Sequence, residues 1–351
     1  MEFGLDDLHD GNFDDYSWTA TDDVSGEALD PKLLMAARRE ELKYFKDMSV
    51  YEYCTLDECR KATGRPPIGV RWVDTNKGDR ARPNYRARLV AKEYRMEARP
   101  DLFAATPPTE CMRLLASKAA ENKEYKMLYI DISRAYFYAK SIRPTYVKLP
   151  PEDERSGEDG ICAKLLMSMY GTRDAANNWA AEYTATLEKA GYTRGVANPC
   201  LFFNHKNGVS VMVHGDDFLA VGDKAATDSL KKVLTDVYKV KCEVLGGGDG
   251  ELSEIRVLNR VVRRTDTGIT IEADPRHAEM VIKDLELTTA KAGKVPGSKE
   301  EMKRVAEARA KIEAGENVDS LSTAATYATS TPGSTPTKAG SRSETAVEST
   351  T

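Results

Sequence analysis

Apolar residues recur at helical spacing in KLLMAARREELKYFKD, where Leu34, Met35, Leu42 and Phe45 make an imperfect stripe. Asp30 before Pro31 fits an N-cap followed by a first-turn proline, so the pattern predicts a helix over 31–47. The period then shortens. Runs rich in β-branched and aromatic residues predict strands at 68–73 and 85–91 around the turn Asn76-Lys77-Gly78-Asp79. Residues 109–122 read as a helix capped by Thr109, with Glu110 in its first turn. A strand at 125–132 carries Asp131 near its end, and a short helical stretch, SRAYFYAK, follows. A strand at 161–167 leads through MYGTRDAANNW into a helix ending near 190. Strands at 201–206 and 209–214 flank Asn207-Gly208, a two-residue hairpin signal. Asp216 and Asp217 stand at the next reversal, before a strand at 218–221 and a helix at 224–237. A last hairpin, 255–264 and 269–273, turns over Asp266-Thr267-Gly268, and Asp274-Pro275 opens a helix to about 287.

Composition changes the picture at the ends. The first thirty residues hold ten carboxylates and neither Lys nor Arg, and disorder is expected there. Residues 321–351 are mostly Ser, Thr, Ala, Gly and Pro and are also expected to be disordered. The expected organisation is an acidic tail (1–30), an α+β domain (31–290), a charged helical linker (291–320) and a low-complexity tail (321–351). The formal net charge is −5, but outside the acidic tail the chain is net basic. That balance is compatible with a polyanion partner and does not require one. No apolar run approaches the roughly 18 residues of a membrane span. The start, MEFGLDDLHD, lacks the basic and apolar regions of a secretory signal. Six scattered cysteines contain no C-x-x-C pair, which fits a reducing, intracellular compartment, cytoplasmic or nuclear.

The candidate chemistry is carboxylate chemistry. A sheet can bring a strand end carrying Asp131 beside a hairpin tip carrying Asp216 and Asp217. Three converging carboxylates repel one another unless cations sit among them. Hard oxygen ligands favour magnesium, which takes one or two carboxylates and completes its shell with substrate phosphates. Two such ions about 4 Å apart serve in-line displacement at phosphorus. The bland readings stand beside this one. An Asp-Asp pair at a turn is commonly just solvated, and an Asp after a strand commonly caps a helix.

A series of motifs in order carries a resemblance. RWVDTNKGD with YRARLVAKEY, then LFAATPPTECMR, YIDISRAYFYAKSIRPTYVKLP, KLLMSMYGTRDAANNW, GYTRGVANPCLFF and VMVHGDDFLAVG resemble successive motifs of copia-type LTR retrotransposon reverse transcriptases. These are the RNA-dependent DNA polymerase domains of retrovirus-related Pol polyproteins. The likeness runs from about residue 31 to 287, where IRVLNRVVRRTDTGITIEADPRHAEMVIKDLEL resembles the approach to the thumb.

The resemblance implies a right-hand polymerase with fingers, an antiparallel palm and thumb elements. It implies two Mg²⁺ ions (Mn²⁺ as a substitute) on Asp131 and Asp216, with Asp217 as the third carboxylate. Tyr136 falls on the aromatic under the incoming sugar, where its ring excludes a 2′-hydroxyl. Arg86 and Arg88 fall on basic residues suited to a triphosphate. The implied partners are a template with primer, dNTPs and other polyprotein segments. Three departures stand out. His214-Gly215 replaces Tyr-Val, opening space near the nucleotide at Gly215. Asp174 replaces a glutamine that touches the nucleotide, and Ala176-Asn177 replaces Pro-Arg. No RNase H, integrase or protease motif is found. The alternative expectations are a non-catalytic polyprotein remnant that keeps the fold and binds nucleic acid, and a carboxylate-metal phosphodiesterase.

Overall fold

The computed structural model describes residues 20–290 except 80, 95–101, 103 and 274, together with 303 and 307. The other residues of the expected linker 291–320, the tail 321–351, and residues 1–19 of the acidic tail lie outside the described residues. The chain divides into two units, Met1–Asp274 and Pro275–Thr351.

In chain order the first unit contains α1 (Pro31–Asp47), β1 (Tyr51–Thr55), α2 (Leu56–Thr63), β2 (Val70–Asn76), β3 (Tyr85–Ala91) and α3 (Thr109–Glu121). Next come β4 (Lys126–Ile132), a 3-10 turn (Ala135–Tyr138), β5 (Tyr146–Val147), β6 (Ile161–Leu165), α4 (Ala175–Lys189) and β7 (Thr193–Arg194). The unit continues through β8 (Leu201–Phe203), β9 (Ser210–His214), β10 (Asp217–Gly222), α5 (Lys224–Val237), β11 (Val240–Leu245), β12 (Glu254–Val257), β13 (Arg260–Thr265) and β14 (Gly268–Ala273). The second unit holds α6 (Arg276–Asp284).

The centre is a six-stranded antiparallel sheet in the order β11-β4-β10-β9-β8-β7. Alternation along each strand sends neighbouring side chains to opposite faces. Leu128, Ile130 and Ile132 of β4, with Phe218 and Ala220 of β10, pack with Trp179, Tyr183 and Leu187 of α4 and Leu230 and Leu234 of α5. Met127 of β4, with Leu219 and Val221 of β10, packs the other way. There it meets Met112, Leu115 and Ala119 of α3 and Ile255 and Val262 of the β12-β13-β14 sheet. A third cluster joins Phe45 of α1, Leu89 and Ala91 of β3, Phe137 of the 3-10 turn and Leu165 of β6. The α+β class expected from the sequence is what the chain forms.

Several local expectations shift. Residues 20–30, expected within a disordered tail, fold onto the edge of β2. The Asp22 and Asp23 carboxylates accept from the backbone N–H groups of Asn76 and Asp74, and Ala20 and Leu29 are buried. Burial alone would raise the Asp22 pKa, yet donors from Asn76, Ser25 and Val24 hold it below the usual carboxylate range. Asn207-Gly208 is not a two-residue hairpin turn. Strand pairing stops at Phe203↔Ser210, and Asn204 closes a wider loop, accepting from Gly208 N through its carbonyl and from Lys206 N through its side chain. Thr109 opens α3 as its first residue, after Pro108, and makes no cap bond. The pair β1–α2 and the edge strand β11 were not anticipated. No helix among the described residues is long and apolar enough to cross a membrane.

Candidate active site

The hairpin β9–β10 turns on two residues, Gly215 and Asp216, with His214 paired to Asp217. Gly215 has φ +64° and is the only one of the two at positive φ. Glycine at the first central position is what a tight type II′ turn demands. A Cβ at Gly215 would meet open space, so the backbone conformation, not crowding, calls for glycine there. Both turn carbonyls are tied. Trp179 Nε1 donates to Gly215 O at 2.8 Å, and Ile132 N donates to Asp216 O at 2.9 Å. The base of the Asp216 side chain is thereby fixed from α4 on one side and β4 on the other. On the sheet, Asp217 stands opposite Asp131. Directly opposed residues share a face, and this face also presents Tyr129, His214 and Lys241.

The three aspartates feel one another. Burial raises the Asp131 pKa first, and the Asp216 charge raises it further against the pull of Lys241, Arg86 and Arg88. Burial also raises Asp217, and Asp216 and Asp131 add to it, while the hydroxyl of Tyr129 donates to its Oδ1 and opposes the shift. Crowded carboxylates whose mutual repulsion favours protonation suit a divalent cation. Among the described residues no three or more His, Cys, Asp or Glu side chains close around one point. Two carboxylates, Asp131 and Asp216, with Asp217 engaged by Tyr129, still match magnesium's habit of keeping most of its shell for phosphate and water.

A basic, aromatic wall faces these carboxylates. Arg86 and Arg88 lie two apart on β3, Arg86 exposed and Arg88 half-buried. The Arg88 guanidinium sits 5.0 Å from the Tyr170 ring centroid, and the Tyr170 and Tyr136 rings are 5.0 Å apart. Gly171 makes this approach possible: it has φ +82°, and a Cβ there would fall 2.1 Å from Ala91 O. Burial pushes the Tyr170 hydroxyl up to about 12, with Arg88 opposing. Desolvation lowers the Arg86 pKa, and neighbouring Arg88 lowers it further, though a guanidinium stays charged. Tyr136 rides on the 3-10 turn that follows Asp131, and its raised pKa comes from burial and then from Asp216. The structure therefore brings Asp131, Asp216, Asp217, Tyr136, Arg86 and Arg88 to one region.

A reverse transcriptase (RNA-dependent DNA polymerase) family model matches residues 53–299. The chain belongs to that family. It is 24% identical over 272 residues to the retrovirus-related Pol polyprotein from transposon TNT 1-94 of Nicotiana tabacum, covering 75% of this chain and 20% of that protein. It is 28% identical over 135 residues to the transposon Ty1-DR1 Gag-Pol polyprotein of Saccharomyces cerevisiae, covering 38% and 7% respectively. The chain thus spans about a fifth of the tobacco relative's length. Among solved structures, a foamy viral protease-reverse transcriptase in complex with double-stranded DNA aligns with TM-score 0.39 and 11% identity, over 80% of this chain and 48% of that one.

Within this reverse transcriptase domain, Asp174 lies where the sequence comparison placed a nucleotide contact, but its carboxylate is buried and occupied. Oδ1 accepts from Arg143 at 2.9 Å and Oδ2 from Asn178 at 3.2 Å, and Arg143 also pairs with Glu93. The side chain faces the body of the domain, so its charge is met by Arg143. Asp174→Gln is expected to leave the KM for dNTP within about twofold and to lower the melting temperature by ~2–4 °C, read by thermal unfolding beside steady-state kinetics. A large gain in dNTP affinity would contradict this placement.

Four residues that sequence reasoning did not assign to the site belong near it: Trp179, Tyr129, Lys241 and Glu41. Trp179 packs in the core at 1% exposed, yet its indole N–H holds the turn. Lys241 is paired with Asp131 across β11 and β4, a relation visible only once β11 is placed. Trp179→Phe keeps most of the ring packing and removes the donor to Gly215 O. It should cost about 1 kcal/mol of stability and reduce primer extension more than that loss of folded protein explains. Extension per folded molecule equal to wild type would count against the tether.

Proposed function

We propose that this chain is the RNA-directed DNA polymerase segment of a copia-type retrotransposon Pol polyprotein, joining a dNTP to a primer 3′-hydroxyl with release of pyrophosphate. The observation that supports the reading is that Asp131, near the end of β4, lies beside the β9–β10 hairpin tip carrying Asp216, and feels the charges of Asp216, Arg86 and Arg88. Asp131 and Asp216 are the residues that would hold two Mg²⁺ ions, which supply activation of the attacking oxygen and charge neutralisation at the leaving phosphate. Arg86 and Arg88 offer forked donors to the triphosphate oxygens. Tyr170 contacts both the Arg88 guanidinium and the tilted Tyr136 ring, so the phosphate-facing and sugar-facing groups brace one another. Tyr136 then lies under the sugar and disfavours a 2′-hydroxyl. Asp217, held by Tyr129, adds negative charge beside the pair without competing for the same ligand position.

The alternative of a non-catalytic remnant drew on Asp174 and on Asn177; Arg143 meets the Asp174 charge, which weakens the first of these grounds. The deciding experiment is primer extension on an RNA template with Mg²⁺ or Mn²⁺. Incorporation of dNTPs is the expected result. Salt-sensitive nucleic-acid binding with no extension under either metal would return the remnant reading.

A further inference from the structure

Helix α1 precedes residue 53, where the family match begins, yet it reaches the polymerase region. It delivers Glu41, a carboxylate only 2% exposed. Glu41 Oε2 accepts from Arg134 Nε at 2.8 Å, while Oε1 is buried with no hydrogen-bond partner. Arg134 begins the 3-10 turn with φ +55°, and its guanidinium lies 3.4 Å from the ring centroid of Tyr44. Glu41 and Tyr44 are one turn apart, so a single face of α1 holds this arginine. Glu41 is also within electrostatic reach of Arg86 and Arg88, the pair that faces Asp131. Arg88 Nε and the Tyr170 hydroxyl are likewise buried without partners. A buried carboxylate with one oxygen unpartnered carries a desolvation cost that its pairing with Arg134 offsets only in part. Its position among three arginines points to electrostatics.

We propose that Glu41 is the counter-charge of a polyphosphate site made by Arg86, Arg88 and Arg134, restraining Arg134 and offsetting its neighbours so that a nucleoside triphosphate is admitted and pyrophosphate is let go. The identity of the ligand rests on the polymerase reading. Three guanidinium groups without an internal anion would grip substrate and product polyphosphate alike, and uniform tight binding does not speed turnover. A fixed carboxylate lowers the local potential by one charge in a partly desolvated setting, where that charge counts for more than in water.

The test is calorimetric binding of pyrophosphate, with magnesium present, to the wild-type chain and to Glu41→Gln. About tenfold tighter binding by the variant is expected, together with a fall in both KM for dNTP and kcat in primer extension. Equal or weaker pyrophosphate binding would overturn the proposal and leave Glu41 as a clamp for Arg134. Glu41→Met, similar in volume and uncharged, is the second variant if the glutamine does not fold, with the same expected direction. Failure of both to fold would show that Glu41 serves the fold and would also overturn it. Pyrophosphate binding needs no turnover, so the two readings fail separately. Tighter binding by the variant with no extension by the wild type removes the polymerase reading alone. Extension by the wild type with unchanged binding removes the counter-charge alone.

Discussion

Asp216→Asn should lower primer extension by roughly three orders of magnitude, the scale set by removing several kcal/mol of metal-borne transition-state stabilisation. The fold should survive, because the turn is held through backbone atoms. Gly215 O and Asp216 O carry the bonds to Trp179 and Ile132, and neither uses the carboxylate. Removing the charge also relieves repulsion on Asp131 and Asp217, whose protonation Asp216 favours. The melting temperature of the variant should therefore match or exceed that of the wild type. Single-turnover extension and thermal unfolding on the same preparation separate the two effects. Undiminished extension would sink the role assigned to Asp216.

Phe218→Ala should destabilise the domain by about 3–5 kcal/mol, a large share of the roughly 5–15 kcal/mol that holds a typical domain. Phe218 is fully buried on β10, and its ring meets Tyr183 at 5.6 Å and Trp179 at 6.5 Å. It also follows Asp217 directly, so the core under the sheet and the carboxylates at its end share one strand. Urea unfolding measures the loss. A change below about 1 kcal/mol would mean that the neighbouring rings collapse into the space left by the phenyl ring.

The legible parts of the sequence were those written locally. Asp30-Pro31 marked the start of α1, and the structure places Asp30 Oδ1 on Lys32 N and Leu33 N. The helix expected at 224–237 is α5 to the residue, with Asp223 capping Ala226 N. The T-x-x-E signature of Thr55 to Glu58 was equally local, and Thr55 does cap α2 through Glu58 N. Asn207-Gly208 misled because the side chain and carbonyl of Asn204 outcompeted the shorter turn. The edge strand β11 was hard to see because it alternates Lys241 and Glu243 with Val240, Cys242 and Val244, and charges are usual on sheet edges.

By itself the sequence determined the family and nominated the candidate residues in order, because Asp131, Asp216, Asp217, Tyr136, Arg86 and Arg88 sit in short contiguous motifs. Tertiary structure decided what surrounds them. The partners of Asp174, Asp217 and Glu41 lie 31, 88 and 93 residues away. No local pattern encodes that Arg143 neutralises the first, that Tyr129 holds the second, or that an N-terminal helix brings the third to Arg134. Those pairings arise only when the sheet register and the seating of α1 bring distant groups within hydrogen-bond reach. Burial, which only the folded chain possesses, raises the pKa of Asp217 and of Glu41.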